Sequence, residues 1–160
     1  MAVLGACILL ALGLGFRFLF VTSPDQAAVN RAPRITDTAF EQHAQQVCKR
    51  YASAFDTQTT LSKQPTQQQS ADFLETIAKT FDAMVVELRA IPVAPADQAR
   101  VSAWLDDWEA YNAFGHQYAT AVRAGAEQQL IVHDSARIGD LRRRRNGFAK
   151  ANHLSSCVFN

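Results

Sequence analysis

The sequence lacks a surplus of charge of either sign, with 16 lysines and arginines against 15 aspartates and glutamates in 160 residues. This balance is not that of a protein that binds nucleic acid through a general basic field, so we expect no nucleic-acid partner. Glycine and proline are scarce, at 7 and 5 residues, which excludes a collagen-like fibre. The three cysteines are too few for a small disulfide-rich scaffold. With 48% hydrophobic residues, the composition is that of a globular protein.

Catalytic and metal-binding motifs are also missing from the sequence. There is no Gly-x-Ser-x-Gly elbow, no phosphate-binding loop, no dinucleotide fingerprint and no Cys-x-x-Cys pair. No histidine has a His or carboxylate partner four residues away, the spacing that puts two ligands on one helix face. We therefore expect no enzymatic activity, no cofactor and no metal site, and we interpret the histidines as surface residues: His43, His116, His133 and His153.

The longest apolar run lies at the beginning of the chain. Residues 1–16 carry no charge, and after Arg17 the run continues through 18–21. About 20 residues cross a bilayer as a helix, and an arginine near one end can extend its guanidinium to the headgroups. This predicts an uncleaved transmembrane anchor over 1–21. A cleaved signal peptide is one alternative, although the basic start and small cut-site residues are missing. Lipidation of Cys7 is another.

Two patterns disagree on which side of the membrane the domain lies. Arg17, Arg31 and Arg34 all follow the apolar run, and the positive-inside rule would place the domain in the cytoplasm. Cys48 and Cys157 bracket most of the remaining chain, a spacing natural in an oxidising compartment. We give the cysteines more weight. The expectation is a single-pass protein of the cell membrane with its C-terminal domain, 37–160, on the extracytoplasmic side.

The remainder of the chain shows helical periodicity. Residues 22–36 have no apolar period and predict a flexible tether. Thr38 and Glu41 then have capping-box spacing, with Thr38 as the N-cap. Pro92 would end the second of four helical segments and Gly125 the third. The apolar positions at steps of three and four are Phe40, Ala44, Val47, Tyr51 and Phe55; Phe73, Ile77, Phe81, Met84, Val85 and Leu88; Val101, Trp104, Trp108, Tyr111, Gly115, Tyr118 and Val122; and Ile131, Ile138, Leu141 and Phe148. Because the connections are short, this pattern predicts an all-α domain, a four-helix bundle of up-down-up-down topology.

Several of these segments carry a resemblance. The likeness rests on Val47–Arg50, Leu88–Pro92, Trp104–Leu105, Ala124–Gly125 and Phe148–Cys157. On these residues the domain resembles a broad group of small, mostly uncharacterised actinobacterial proteins that are membrane-anchored or lipoprotein-like and lie outside the cytoplasm. The resemblance covers about 38–158 and departs at His153, where such sequences prefer glycine. It implies an extracytoplasmic location and a disulfide-tied bundle, and it carries over no catalytic residue. We accordingly predict a disulfide between Cys48 and Cys157.

Two clusters remain as candidate sites. The third helical segment has an aromatic seam, which is interpreted first as core and alternatively as the wall of an apolar or lipid-binding pocket: Trp104, Trp108, Tyr111, Phe114 and Tyr118. The fourth has a basic run, interpreted first as a solvated face paired with Asp140 and alternatively as a contact with an anionic lipid surface: Arg142, Arg143, Arg144, Arg145 and Lys150.

The leading hypothesis for function is an anchored interaction module that contacts another membrane or envelope protein. The alternative is a carrier or sensor that binds a small apolar or lipid ligand between its helices. A cavity of several hundred cubic ångströms lined by the aromatic seam would favour the ligand hypothesis. A closed core with an exposed apolar patch would favour the partner hypothesis.

Overall fold

The computed structural model describes residues 23–58 and 64–159. The apolar run over 1–21, and with it the predicted anchor, lies outside the described residues. Helices make up the described architecture, and none of them is both long and apolar enough to cross a membrane. They are α1 (Pro24–Arg31), α2 (Thr38–Gln58), α3 (Gln67–Arg89), α4 (Gln98–Ala124) and α5 (Glu127–Ala151), followed by a 3-10 turn, Ser155–Cys157. The all-α prediction is confirmed, and α2 to α5 correspond to the four segments with helical periodicity.

The helices pack mainly on their neighbours in sequence. α3 lies along α4, α4 packs on α5, and α2 contacts α3 and the 3-10 turn. Between the described backbones of α2 and α5 there is no close approach. The core therefore forms around α4, where Trp104 meets the ring of Phe40 from α2 and that of Phe148 from α5. Trp108 and Leu88 are also fully buried in it.

The Cys48–Cys157 disulfide is confirmed. It joins α2 to the 3-10 turn, with Cα atoms 5.0 Å apart and a sequence separation of 109 residues. Both residues are fully buried. The bond holds the C-terminal segment against α2, so that Phe159 reaches the rings of Phe81 and Trp108 at centroid distances of 5.1 and 5.6 Å.

Helix α1 corrects the prediction of a flexible tether over 22–36. Ser23 is the N-cap and accepts a hydrogen bond from the backbone N–H of Gln26, and Pro24 occupies the first turn. The helix packs on α5. At the contact, a Cβ built on Gly147 would lie 2.9 Å from the carbonyl carbon of Ala28. The contact is made by backbone atoms and small residues, so the sequence of α1 has no apolar periodicity from which the helix could be predicted.

The segment between α1 and α2 is also fixed. Asn152 accepts a hydrogen bond from the N–H of Ile35 (2.8 Å) and donates one to the carbonyl oxygen of Pro33 (2.9 Å). The buried carboxylate of Asp97 accepts from the N–H and the hydroxyl of Thr36 at 2.7 and 2.9 Å. Those hydrogen bonds hold the pKa of Asp97 below its usual value. Both ends of this segment are thus tied to the domain.

The predicted N-cap of α2 is wrong by one residue. Asp37, not Thr38, caps the helix, because its Oδ1 accepts from the N–H of Phe40 at 3.0 Å. Its other carboxylate oxygen accepts from the N–H of Ala94 at 2.7 Å, and these bonds hold the pKa of Asp37 below its usual value. An aspartate one residue earlier serves the same purpose as the predicted threonine.

Candidate functional site

A cavity of about 430 Å³ opens between α3, α4 and the C-terminal residues 156–159. We call it the seam cleft. Its volume lies within the range of small-molecule sites. Most of the lining is apolar, and Ala52 of α2 contributes to one wall. The main apolar contributors are Ile77, Phe81, Phe114, Tyr118, Val158 and Phe159.

The structure divides the aromatic seam between core and cleft. Trp104 and Trp108 are 2% and 0% exposed and belong to the core. Tyr111, Phe114 and Tyr118 line the seam cleft, the last two stacked at a centroid distance of 6.0 Å. The seam is therefore part of the core in the first half of α4 and part of a cavity wall in the second half.

Arg145 lies in the wall of the seam cleft with only 1% of its surface exposed. Its guanidinium carbon is 3.9 Å from the ring centroid of Trp108 and 4.0 Å from that of Tyr111. Two aromatic faces thus enclose the cation. Its Nη2 donates to the carbonyl oxygen of Phe159 at 3.0 Å. Its Nε and Nη1 have no hydrogen-bond partner within the described part of the chain.

Burial lowers the pKa of Arg145 to about 10. The side chain nevertheless stays protonated at neutral pH, so the wall of the cleft carries a positive charge. Both interpretations of the basic run are therefore wrong for Arg145, because a buried guanidinium can form neither a solvated face nor a contact with lipid headgroups. The reason is the helical repeat: Arg145 lies between Leu141 and Phe148 at steps of four and three, on the inward face of α5.

Asn112 is the second polar group in the wall of the seam cleft. It is 2% exposed, and neither its amide nitrogen nor its amide oxygen has a partner among the residues described. It was not predicted from the sequence, although a polar residue four positions after Trp108 on an apolar face was a visible signal. Buried polar groups are nearly always hydrogen-bonded in folded proteins. An amide without partners and a cation with two unused donors in the wall of one cavity are therefore typical of a site that takes a polar ligand group.

The rest of the basic run behaves differently. Arg144 pairs with Asp107 of α4 at 2.7 Å and also with Asp140, and Arg143 lies 3.6 Å from Asp140. Together with Arg31 they border a second cavity of about 550 Å³ between α1, α4 and α5. Its charges are largely paired with one another. Arg142 is half-buried and Lys150 exposed, so the run does not form one surface.

His116 is not the isolated surface residue that was predicted. Its Nε2 is 2.7 Å from Asp82 and its Nδ1 is 3.2 Å from Glu75, both on α3. These partners come from another helix, so the residue spacing along α4 does not reveal them. Across the described ranges, no group of three ligand-type side chains is arranged to hold a metal ion.

The seam cleft brings no histidine or carboxylate together with Arg145 among its described lining residues. Its chemistry is that of an apolar chamber with one cation, one amide and the hydroxyls of two tyrosines and a serine. Such a set can bind and orient a molecule but contains no nucleophile with an adjacent base. Comparison of the chain with protein-family models, with curated proteins and with solved structures found no match.

Proposed function

We propose that the domain binds a small, mostly apolar ligand in the seam cleft. The observation that carries this proposal is a cleft of about 430 Å³ whose apolar wall contains two buried side chains with unused hydrogen-bonding atoms, Nε and Nη1 of Arg145 and the amide of Asn112. Apolar side chains at these two positions would pack the wall without the free-energy cost of burying polar atoms that lack hydrogen bonds.

We also propose that the chain is a single-pass membrane protein whose domain lies outside the cytoplasm, as the resemblance to small actinobacterial envelope proteins implies. The uncharged apolar run over 1–16 and its continuation over 18–21 support an anchor. The buried disulfide is compatible with an oxidising compartment. In this proposal α2 to α5 run up-down-up-down, which the packing of successive helices supports, and the 3-10 turn after α5 takes the place beside α2. Retention of the full chain in carbonate-washed membranes would support the anchor, and release of a shortened soluble form would contradict it.

A second candidate function is contact with another membrane or envelope protein. Val86 on α3 is 69% exposed, and on α5 the neighbours Ile131 and Val132 are 38% and 73% exposed. Contact surfaces are marked by contiguous exposed apolar area, which is small here, so this candidate has less support than ligand binding. Crosslinking of the membrane form should yield one defined adduct that Val86→Lys or Val132→Lys removes. The candidate is wrong if neither variant changes the adduct pattern.

Photolabelling tests the ligand proposal on the full-length chain in neutral-lipid nanodiscs. A neutral long-chain alcohol carrying a diazirine is the probe, and mass spectrometry locates its adducts. We expect adducts on residues that line the seam cleft, with unlabelled dodecanol as an effective competitor. In Ala52→Phe, the added ring fills part of the cleft and should remove most of this labelling.

Ser53→Phe is the matched control, because Ser53 is the next residue on α2 but is exposed and does not line the cleft. Labelling in this variant should equal that of the parent. The proposal fails if the cleft residues are not labelled, or if both phenylalanine variants reduce labelling equally.

A further inference from the structure

The charge balance of the seam cleft is one-sided. Arg145 supplies a cation, and the described residues that line the cleft include no acidic side chain. Two other arginines of the basic run, Arg143 and Arg144, form ion pairs with Asp140. Arg145 has no such partner among the described residues that line the cleft. A buried charge without a counter-charge is unfavourable, because burial removes the hydration that stabilises it.

The aromatic rings fix how the cation can be reached. Trp108 and Tyr111 cover the guanidinium at 3.9 and 4.0 Å, so a further partner approaches the edge of the guanidinium plane rather than its face. At that edge, Nη2 already donates to the carbonyl oxygen of Phe159, while Nε and Nη1 have no partner in the described structure. The cation therefore has unused donors and only a neutral acceptor.

We propose that the ligand of the seam cleft is an amphiphile, with an oxyanion head bound by Arg145 and an apolar tail along the aromatic half of α4. This rests on the proposed function, since it specifies the ligand of the same cleft. The Asn112 amide, also in the wall, supplies a second donor for the head. Tyr118, Phe114 and Ile77 line the apolar part that receives the tail.

The C-terminal segment has to move for the head to bind. The unused nitrogens of Arg145 have almost no exposed surface, and the half-buried Val158 and Phe159 form the wall beside them. An oxyanion that replaces the Phe159 carbonyl oxygen exchanges a neutral acceptor for a charged one, which makes the stronger hydrogen bond. The disulfide at Cys157 limits this movement to the residues that follow it.

Competition against the diazirine alcohol tests the head group. Dodecanoate, dodecyl phosphate and dodecanol have the same tail and differ in the head, so the two anions separate carboxylate from phosphate recognition. For each protein we measure the concentrations of dodecanol and of each anion that halve cleft labelling. The ratio of the alcohol concentration to the anion concentration is the preference for the anion. In the parent chain this ratio should favour at least one anion, and Arg145→Met should reduce the preference about 10- to 100-fold, as expected for a hydrogen bond to a charged group.

Arg137→Met is the matched control. Arg137 is an exposed arginine on the same helix, paired with Asp134 at 3.0 Å, so its loss changes the net charge equally without touching the cleft. It should keep the parent ratio. Partition of the probes into lipid is the same for all three proteins and cancels from the comparison.

A measurement on the unmodified chain covers the case in which Arg145→Met does not fold. The Nε–H resonance of Arg145 should shift on addition of dodecanoate or dodecyl phosphate and stay in place with dodecanol. An anion-to-alcohol ratio that Arg145→Met leaves unchanged, or an Nε–H resonance that no anion moves, overturns the head-group inference. If the neutral probe still labels the cleft in that event, the proposed function stands without it.

Discussion

The imidazole Nε2 of His116 lies 2.7 Å from a carboxylate oxygen of Asp82, which joins α4 to α3 outside the core. The Asp82 hydrogen bond raises the pKa of His116 above its ordinary value of 6.5, and the hydrogen bond to Glu75 acts in the same direction against partial burial. Protonation of His116 therefore stabilises the fold. This contribution is fully present below pH 6.5 and is lost as the pH rises through the raised pKa of the folded protein.

We accordingly expect His116→Gln to lower the free energy of unfolding at about pH 6 and to have a smaller effect at about pH 9. Urea unfolding of both proteins at the two pH values measures the difference. His43→Gln, at an exposed position on α2, is the control, and its free energy of unfolding should equal that of the parent at both pH values. An effect of His116→Gln that grows with pH would mean that the protonated imidazole is not the stabilising form.

Gly147→Ala should detach α1 from α5. The new Cβ would lie 2.9 Å from the carbonyl carbon of Ala28, and the backbone there cannot rotate away. We expect a loss of about 1–3 kcal/mol in the free energy of unfolding. Amide hydrogen exchange should be faster over 24–31 than in the parent.

Gly139→Ala is the control on the same helix. Its Cβ would meet only the flexible end of Arg143, at 3.3 Å. Alanine is the better helix former, so this variant should be neutral or more stable by up to about 1 kcal/mol. Equal destabilisation by the two alanines would mean that the contact at Ala28 is not what distinguishes Gly147.

Removal of the disulfide by Cys48→Ala together with Cys157→Ala should lower the free energy of unfolding by about 2–4 kcal/mol. The effect is large because the bond closes a span of 109 residues and restricts the unfolded chain. Urea unfolding of the double variant against the oxidised parent measures it. If the parent, kept in reductant, unfolded at the same urea concentration as the oxidised form, the bond would contribute nothing.

The two halves of the aromatic set should respond differently to truncation. Phe148 is 4% exposed and stacks on Trp104 at 5.0 Å, so Phe148→Ala should cost about 3–5 kcal/mol of stability. Phe114 is half-buried in the cleft wall, so Phe114→Ala should cost less stability but weaken cleft labelling. Thermal unfolding and the photolabelling assay, applied to both variants, separate core from cleft. Similar losses of stability in the two would contradict this division.

Much of the fold could be predicted from periodicity, because α2, α3 and α4 each bury one face. The first half of α5 is an exception, since Ile131 was expected inside and is 38% exposed. Phe40, Leu88 and Trp108 were expected inside and are fully buried.

α1 could not be predicted in this way. Its contact depends on the absence of a side chain at Gly147. The segment that follows α1 is held by a hydrogen bond that Asn152 donates to Pro33 and by one that Asp97 accepts from Thr36, and these polar contacts have no period along the chain.

The candidate site was only partly visible in the sequence. Tyr111, Phe114 and Tyr118 were predicted, but the polar groups beside them were not. Arg145 looks like one member of a solvated run, yet four consecutive helical residues point around the whole axis, so one of them faces inward. The part played by Phe159 depends on the path of the chain after the disulfide, which periodicity does not describe.

The packing of α1 on α5 limits how far an anchored domain can move from its anchor. A flexible chain over 22–36 could extend to about 50 Å and let the domain search a wide volume above a bilayer. With Ala28 held against Gly147 and Ile35 held by Asn152, that slack is absent. In a chain anchored as proposed, the folded domain would begin within a few residues of the bilayer, because α1 starts at Pro24 and the apolar run ends at residue 21. A ligand or partner would then have to come close to the membrane to reach the domain.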